Sequence, residues 1–179
     1  MRVVSGKVRG RKLKEPADYS IRPTTDNVKE SVFNIIQFDI EGRRVLDLFA
    51  GTGQLGIECL SRGAAEVVFV DKSRDAVALV KQNLTTCGLQ AQVVNDDSLA
   101  YLKRGGKFDL VFIDPPYATE LVDQALQIIN SVDILSEGGI IICESSREKS
   151  MPEMISPYFK RKEYNYGKVK ITVYVKETA

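Results

Sequence analysis

From Arg43 onward the chain alternates short, unbroken apolar runs with stretches of helical spacing. The apolar runs predict strands over residues 45–49, 67–70, 92–95, 110–113 and 140–143. Between them, residues 55–62, 73–87, 98–103 and 120–129 predict helices. Gly63, Gly88 and the Gly105-Gly106 pair stop three of these helices, and Gly138-Gly139 reads as the turn into Ile140. Strands without polar alternation are buried on both faces, and strand–helix alternation makes them parallel. The last segment differs. Residues 159–166 and 169–175 are split only by Gly167-Lys168, which predicts an antiparallel hairpin. The expected fold class is therefore α/β, a mostly parallel seven-stranded sheet with a reversed edge strand.

Ahead of this alternation lies a basic arm. Residues 1–14 hold Arg2, Lys7, Arg9, Arg11, Lys12 and Lys14 and no acid, a charge of +6 against −5 for the rest of the chain. The arm is either a solvated tail or a phosphate-contacting element. In Arg22-Pro23-Thr24-Thr25-Asp26, Pro23 resists helix before it, and Thr24, Thr25 or Asp26 can cap a helix after it. Val28, Val32, Ile35 and Ile36 recur at helical spacing, so residues 26–37 read as an amphipathic helix. At 179 residues the chain has one domain's length. Residues 1–40 form an N-terminal extension, a small basic β-hairpin and helix, and 41–179 the core. No apolar run is long enough to span a bilayer, and no apolar leader comes after the basic start. Cys59, Cys87 and Cys143 lie far apart and read as small buried hydrophobes of a reducing, cytoplasmic compartment.

The chain has no histidine. That excludes Ser-His-Asp and Cys-His nucleophile systems and His-ligated zinc, and three cysteines are too few for a four-thiolate site. No metal is expected. Chemistry must rest on carboxylates, hydroxyls, backbone groups or a bound cofactor. Asp47-Leu48-Phe49-Ala50-Gly51-Thr52-Gly53-Gln54-Leu55-Gly56 lies after a strand and opens a helix, the context a ligand-binding glycine loop requires. Asp71 ends the next strand, 20 residues after Gly51, where its carboxylate can accept both ribose hydroxyls. Asp47, at the strand end, suits a cationic amino-acid moiety and would repel a pyrophosphate, which favours S-adenosylmethionine over a dinucleotide. The terminal hairpin agrees, since methyltransferases of this Rossmann-like type add a reversed strand. Asn95-Asp96-Asp97-Ser98 ends the third strand. Its carboxylates can hold the adenine amine, and Asp97 equally suits a helix N-cap.

Phe112-Ile113-Asp114-Pro115-Pro116-Tyr117 is the sharper signal. Two prolines end the strand and stiffen the turn beyond it, and neither carries an N–H. Asp114 and the Pro115 carbonyl can accept both hydrogens of an exocyclic aromatic amine, hold its nitrogen in line with a methyl donor, and stabilise the charge that develops on it. Asp114 can then take the proton, and Tyr117 can stack on a flipped base.

The whole resembles the RsmD family, bacterial methyltransferases acting on guanine N2 in small-subunit (16S) ribosomal RNA. The carriers are residues 1–6 leading to Arg9-Gly10-Arg11-Lys12-Leu13, then Arg22-Pro23-Thr24-Thr25-Asp26-Asn27-Val28-Lys29-Glu30, the loop from Asp47 to Gly56, Leu60-Ser61-Arg62-Gly63-Ala64, and Asp114 to Tyr117. The resemblance implies a cofactor site of Asp47, Phe49, Ala50, Gly51, Gly53, Asp71, Lys72, Asp97, Ser98 and Asp114 for S-adenosylmethionine. It implies that Asp114, Pro115, Pro116 and Tyr117 hold the guanine. Arg22, Thr24 and Thr25 would sit at the mouth, and Arg9, Arg11 and Lys12 would grip RNA. The implied partner is ribosomal RNA, in the small subunit or an assembly intermediate, and a monomer is the default expectation. Gln54 departs from the family pattern, where a small residue is usual, and the Asp96-Asp97 pair is unusually acidic. Adenine-N6 methylation of RNA or DNA is the alternative the tetrapeptide permits. A non-catalytic RNA-binding factor on the same fold is an alternative of another class, and an NAD-dependent oxidoreductase is a more distant one.

Overall fold

The computed structural model describes residues 1–18, 24–116 and 119–178. The alternating runs form a seven-stranded sheet: β1 (Arg44–Asp47), β2 (Glu66–Asp71), β3 (Gln92–Asn95), β4 (Phe108–Ile113), β5 (Leu135–Ser146), β6 (Tyr158–Tyr166) and β7 (Val169–Lys176). The helices are α1 (Asp26–Ile35), α2 (Gln54–Ser61), α3 (Arg74–Cys87), α4 (Ser98–Lys103) and α5 (Leu121–Val132). Strand order is β3-β2-β1-β4-β5-β7-β6. β1 to β5 pair in parallel, and β7 runs antiparallel to both β5 and β6. The reversed strand thus lies at this edge of the sheet, inserted between β5 and β6. Gly167, at φ +60°, and Lys168 make the two-residue link that brings β7 back along β6.

Burial keeps to the two-residue period of a strand. Val45, Val67, Phe69, Leu110, Phe112 and Ile142 face one layer, with α1, α2 and α3. Leu46, Val68, Val70, Val111, Ile113 and Ile141 face the other, with α4 and α5. All three cysteines are buried and unpaired, as expected of small hydrophobes. Ser73 caps α3, its Oγ accepting from the Ala76 amide at 3.2 Å, and Gly88 ends that helix at φ +64°.

Two elements, β5 and α5, depart furthest from the sequence reading. Gly138-Gly139 does not precede β5 but lies within it. Phe108 pairs with Leu135 and Leu110 with Ile140, so β5 carries extra residues as a bulge. Gly138 takes φ +73°, and a Cβ on Gly139 would stand 2.5 Å from the Leu135 side chain, so the bulge needs both glycines. Helix α5 continues three residues beyond Ile129 and stops at Asp133, which takes φ 56° without being glycine. Its carboxylate accepts the Tyr158 hydroxyl at 2.6 Å and pairs with Lys176 at 2.9 Å, contacts that offset the left-handed backbone.

The basic arm is not a loose tail. Val3 donates to the Arg11 carbonyl and Leu13 to the Met1 carbonyl, closing a small hairpin whose Val3 and Leu13 enter the core. Helix α2 holds it from below. The Glu58 carboxylate accepts the amides of Val4 (2.8 Å) and Ser5 (3.0 Å), and Ser61 donates to the Ser5 carbonyl at 2.6 Å. Glu58 is fully buried with Lys29 of α1, 3.1 Å away, and pairs with Arg62 at 2.9 Å. Burial pushes the Glu58 carboxyl up, but the Val4 amide, Lys29 and Arg62 outweigh it and hold it below its ordinary range. The Arg9, Arg11 and Lys12 side chains remain exposed.

Candidate active site

In a parallel sheet the loops beyond the carboxyl ends of the strands enclose the ligand crevice. Here those loops enclose a cavity of about 520 Å³. On one side stands the glycine loop after β1. Gly51 takes φ +58°, and its amide donates to Asp71 Oδ2 at 3.0 Å. Asp71 Oδ1 accepts the Ser73 amide at 2.9 Å, so one carboxylate ties the loop after β1 to the loop after β2. Phe49, Ala50, Gly51, Asp71, Lys72, Asp97 and Ser98 all line the cavity. The two readings of Asp97 coexist: it lines the wall, and its Oδ1 accepts the Ala100 amide at 2.9 Å as the cap of α4. Asp96 instead pairs with Arg104 at 2.6 Å. Ser98 donates to the Leu48 carbonyl at 2.6 Å, fixing α4 against β1.

Asp47 and Gly53 stand behind this wall rather than on it. Gly53 opens α2 at φ +82° against Val80. Asp47 is 2% exposed, and its Oδ2 accepts the Gly56 amide at 3.1 Å. Burial raises its pKa to about 7, against the Gly56 hydrogen bond and with help from the Asp71 charge. The folded protein therefore holds a proton that the unfolded chain has released between the ordinary value of 3.8 and about 7. The associated stability is fully present below pH 3.8 and is lost as pH rises through 7. Asp47→Asn keeps an acceptor for Gly56 and carries no charge. At pH 8 the variant should be more stable than the parent by roughly 3 kcal/mol, and at pH 4 the two should match in urea titrations.

Facing the glycine loop are Asp114, Pro115 and Pro116, which also line the cavity. Thr24 donates its hydroxyl to Asp114 Oδ2 at 3.2 Å, so the N-terminal segment and the Asp-Pro-Pro turn meet, and Thr25 lines the same wall. Arg22, Pro23 and Tyr117 lie outside the described residues. Arg9, Arg11 and Lys12 are not on the cavity wall.

Among the further wall residues that escaped the sequence reading are Thr52, Gln54 and Glu144. Gln54 was visible only as a departure from the family pattern. Its Nε2 donates to the Thr24 carbonyl at 3.0 Å, bridging the glycine loop to the N-terminal segment, while its Oε1 is buried without a partner among the described residues. Glu144 faces Asp114 across the strand ends. Burial pushes the Asp114 carboxyl well above its ordinary range, the Glu144 carboxyl reinforces the shift, and the Thr24 hydroxyl opposes it.

Chains related to this one carry the same architecture. A family model described as Conserved hypothetical protein 95 matches residues 1–175. A Bacillus subtilis (strain 168) relative, YlbH, is 43% identical over 182 aligned residues, covering 98% of this chain and 99% of that one. The Ribosomal RNA small subunit methyltransferase D of Escherichia coli (strain K12) is 33% identical over 179 residues, covering 99% and 90%. The solved structure of yhhF from Escherichia coli matches with a TM-score of 0.91 at 31% identity, covering 100% of this chain and 99% of that one. The sheet is that of the Rossmann-like methyltransferases. Because these matches run over nearly the whole length, through arm, glycine loop and Asp-Pro-Pro turn alike, the chain belongs to the conserved hypothetical protein 95 family, the RsmD family that its motifs resemble.

Proposed function

We propose that this protein methylates the exocyclic N2 amine of a guanine in small-subunit ribosomal RNA, with S-adenosylmethionine as the methyl donor. The observation that carries the reading is one cavity shared by two sets of groups. Gly51, Asp71, Asp97 and Ser98, at or beyond the ends of β1, β2 and β3, line it together with Asp114 and Pro115, beyond β4. The names of relatives that act on ribosomal RNA support the substrate class.

The donor set suits that cofactor. Asp71 would offer carboxylate oxygens to the ribose hydroxyls, and Asp97 or Ser98, on the same cavity wall, would meet the adenine amine. Asp47 acts from behind the wall, holding the loop through the Gly56 amide. When bound, the cofactor supplies an electrophilic methyl group. The chain's own task is to aim the amine. Asp114 and the Pro115 carbonyl accept its two N–H bonds, hold its nitrogen toward the methyl, and stabilise the positive charge that grows there. The proton leaves the nitrogen for Asp114, whose raised proton affinity suits a base. Thr24 orients Asp114 from the N-terminal side.

Residues 1–40 serve as the RNA-binding extension and 41–179 as the catalytic core, in a cytoplasmic monomer. Exposed Arg9, Arg11 and Lys12 project from an anchored hairpin, which suits phosphate contact. Replacing all three with Gln should weaken RNA binding and lower the slope of log affinity against log salt by about 2 to 3. An unchanged slope would return the arm to bulk solvation.

The deciding experiment is in vitro methylation of naked small-subunit RNA and of the protein-bound subunit, with mass spectrometry of the nucleosides. N2-methylguanine is the expected product. N6-methyladenine would favour the other amine that an Asp-Pro-Pro-Tyr turn accommodates.

A further inference from the structure

The mechanism leaves the particular position of Glu144 unexplained. β4 and β5 run in parallel with Ile113 opposite Cys143, which sets Glu144 beside Asp114 at the strand ends. The two carboxyls lie within hydrogen-bonding reach. Both line the main cavity and both border an apolar recess walled by Val32, Phe112, Ile142 and Ile171. Glu144 is half-buried, and among the described residues no lysine or arginine pairs with it. A second acid in such surroundings is costly, and packing does not call for one. Ile140 and Ile142, on the same face of β5, fill that need with hydrocarbon.

The chemistry of the base supplies a reason. Guanine carries two adjacent donors on its pairing edge, the ring N1–H and the N2 amine. Adenine sets its amine beside an unprotonated ring nitrogen, an acceptor. Asp114 and a proline carbonyl cannot tell the two apart, because either amine offers two N–H bonds. A second acceptor beside Asp114 can. We propose that Glu144 reads the N1–H of the target guanine while Asp114 and the Pro115 carbonyl hold its N2 amine. The inference rests on the guanine reading above and adds the group that selects the base. A base with a bare N1 would bring a lone pair against the Glu144 oxygens, and a site built for an N–H rejects the analogue without it.

The test compares the parent enzyme with Glu144→Gln on target RNA carrying either guanine or 2-aminopurine at the methylated position. 2-Aminopurine keeps the amine but has an unprotonated N1. The Gln amide can donate to that nitrogen or accept from N1–H. The preference in kcat/KM for guanine over 2-aminopurine should fall by about 100-fold in the variant, with calorimetric affinity for S-adenosylmethionine kept within about threefold. An unchanged preference, with both substrates slowed alike, overturns the role of Glu144 and leaves the guanine reading standing. N6-methyladenine from the parent enzyme overturns the guanine reading itself, and that result is visible before any variant is made.

Discussion

Asp114→Ala should lower turnover by about 1000-fold while changing S-adenosylmethionine affinity by no more than about threefold. Asp114 follows β4 and Asp71 ends β2, on opposite sides of β1, and Thr24 orients the Asp114 carboxyl; on the proposed reading its loss removes the acceptor for the amine and spares the ribose contacts. Single-turnover methylation and calorimetry separate the two quantities. Loss of cofactor affinity instead would assign Asp114 to the cofactor. In the parent enzyme the acidic limb of kcat against pH should lie above the ordinary carboxylate range. Burial and Glu144 both favour the protonated form of Asp114, and activity rises as that form is titrated away.

Gly56→Ala should be the most damaging single methyl group in the glycine loop. A Cβ there would stand 2.3 Å from the Phe69 ring and 2.9 Å from a Val67 methyl. Phe69 is fully buried between the sheet and its helices, so the ring must displace its core neighbours to make way. The same residue donates its amide to Asp47, so any shift of α2 also uncovers a buried carboxyl. Stability should fall by about 3 kcal/mol and Tm by roughly 9 °C. Unchanged denaturation would mean that the ring slides aside.

Local signals carried much of this site into view. α3 and α4 keep close to the extents their residues predict, because each is bounded by its own stop or cap, Gly88 and Asp97. The glycine loop, Asp71 and the Asp-Pro-Pro turn were legible for a related reason: each is a short run whose chemistry is complete in a few residues. Glu144 was not. Its relation to Asp114 arises from the pairing of β4 with β5, and in the sequence it is one acid after an apolar run. Asp47 was legible as a strand-end acid, but its withdrawal behind the loop depends on Gly56, nine residues on. The anchoring of the arm depends on Glu58, more than fifty residues away, which local spacing does not reveal.

That last contact bears on how the arm can be studied. Deleting the first thirteen residues would remove more than a set of cationic side chains. It would strip Glu58 of the Val4 and Ser5 amides and deprive the Lys29 ammonium of the Arg2 carbonyl, leaving two charges in the interior short of partners. A truncated enzyme that failed on RNA would therefore report a damaged interior as readily as a lost grip. Point changes at the exposed tips of Arg9, Arg11 and Lys12 leave that buried pair intact, and they are the cleaner instrument.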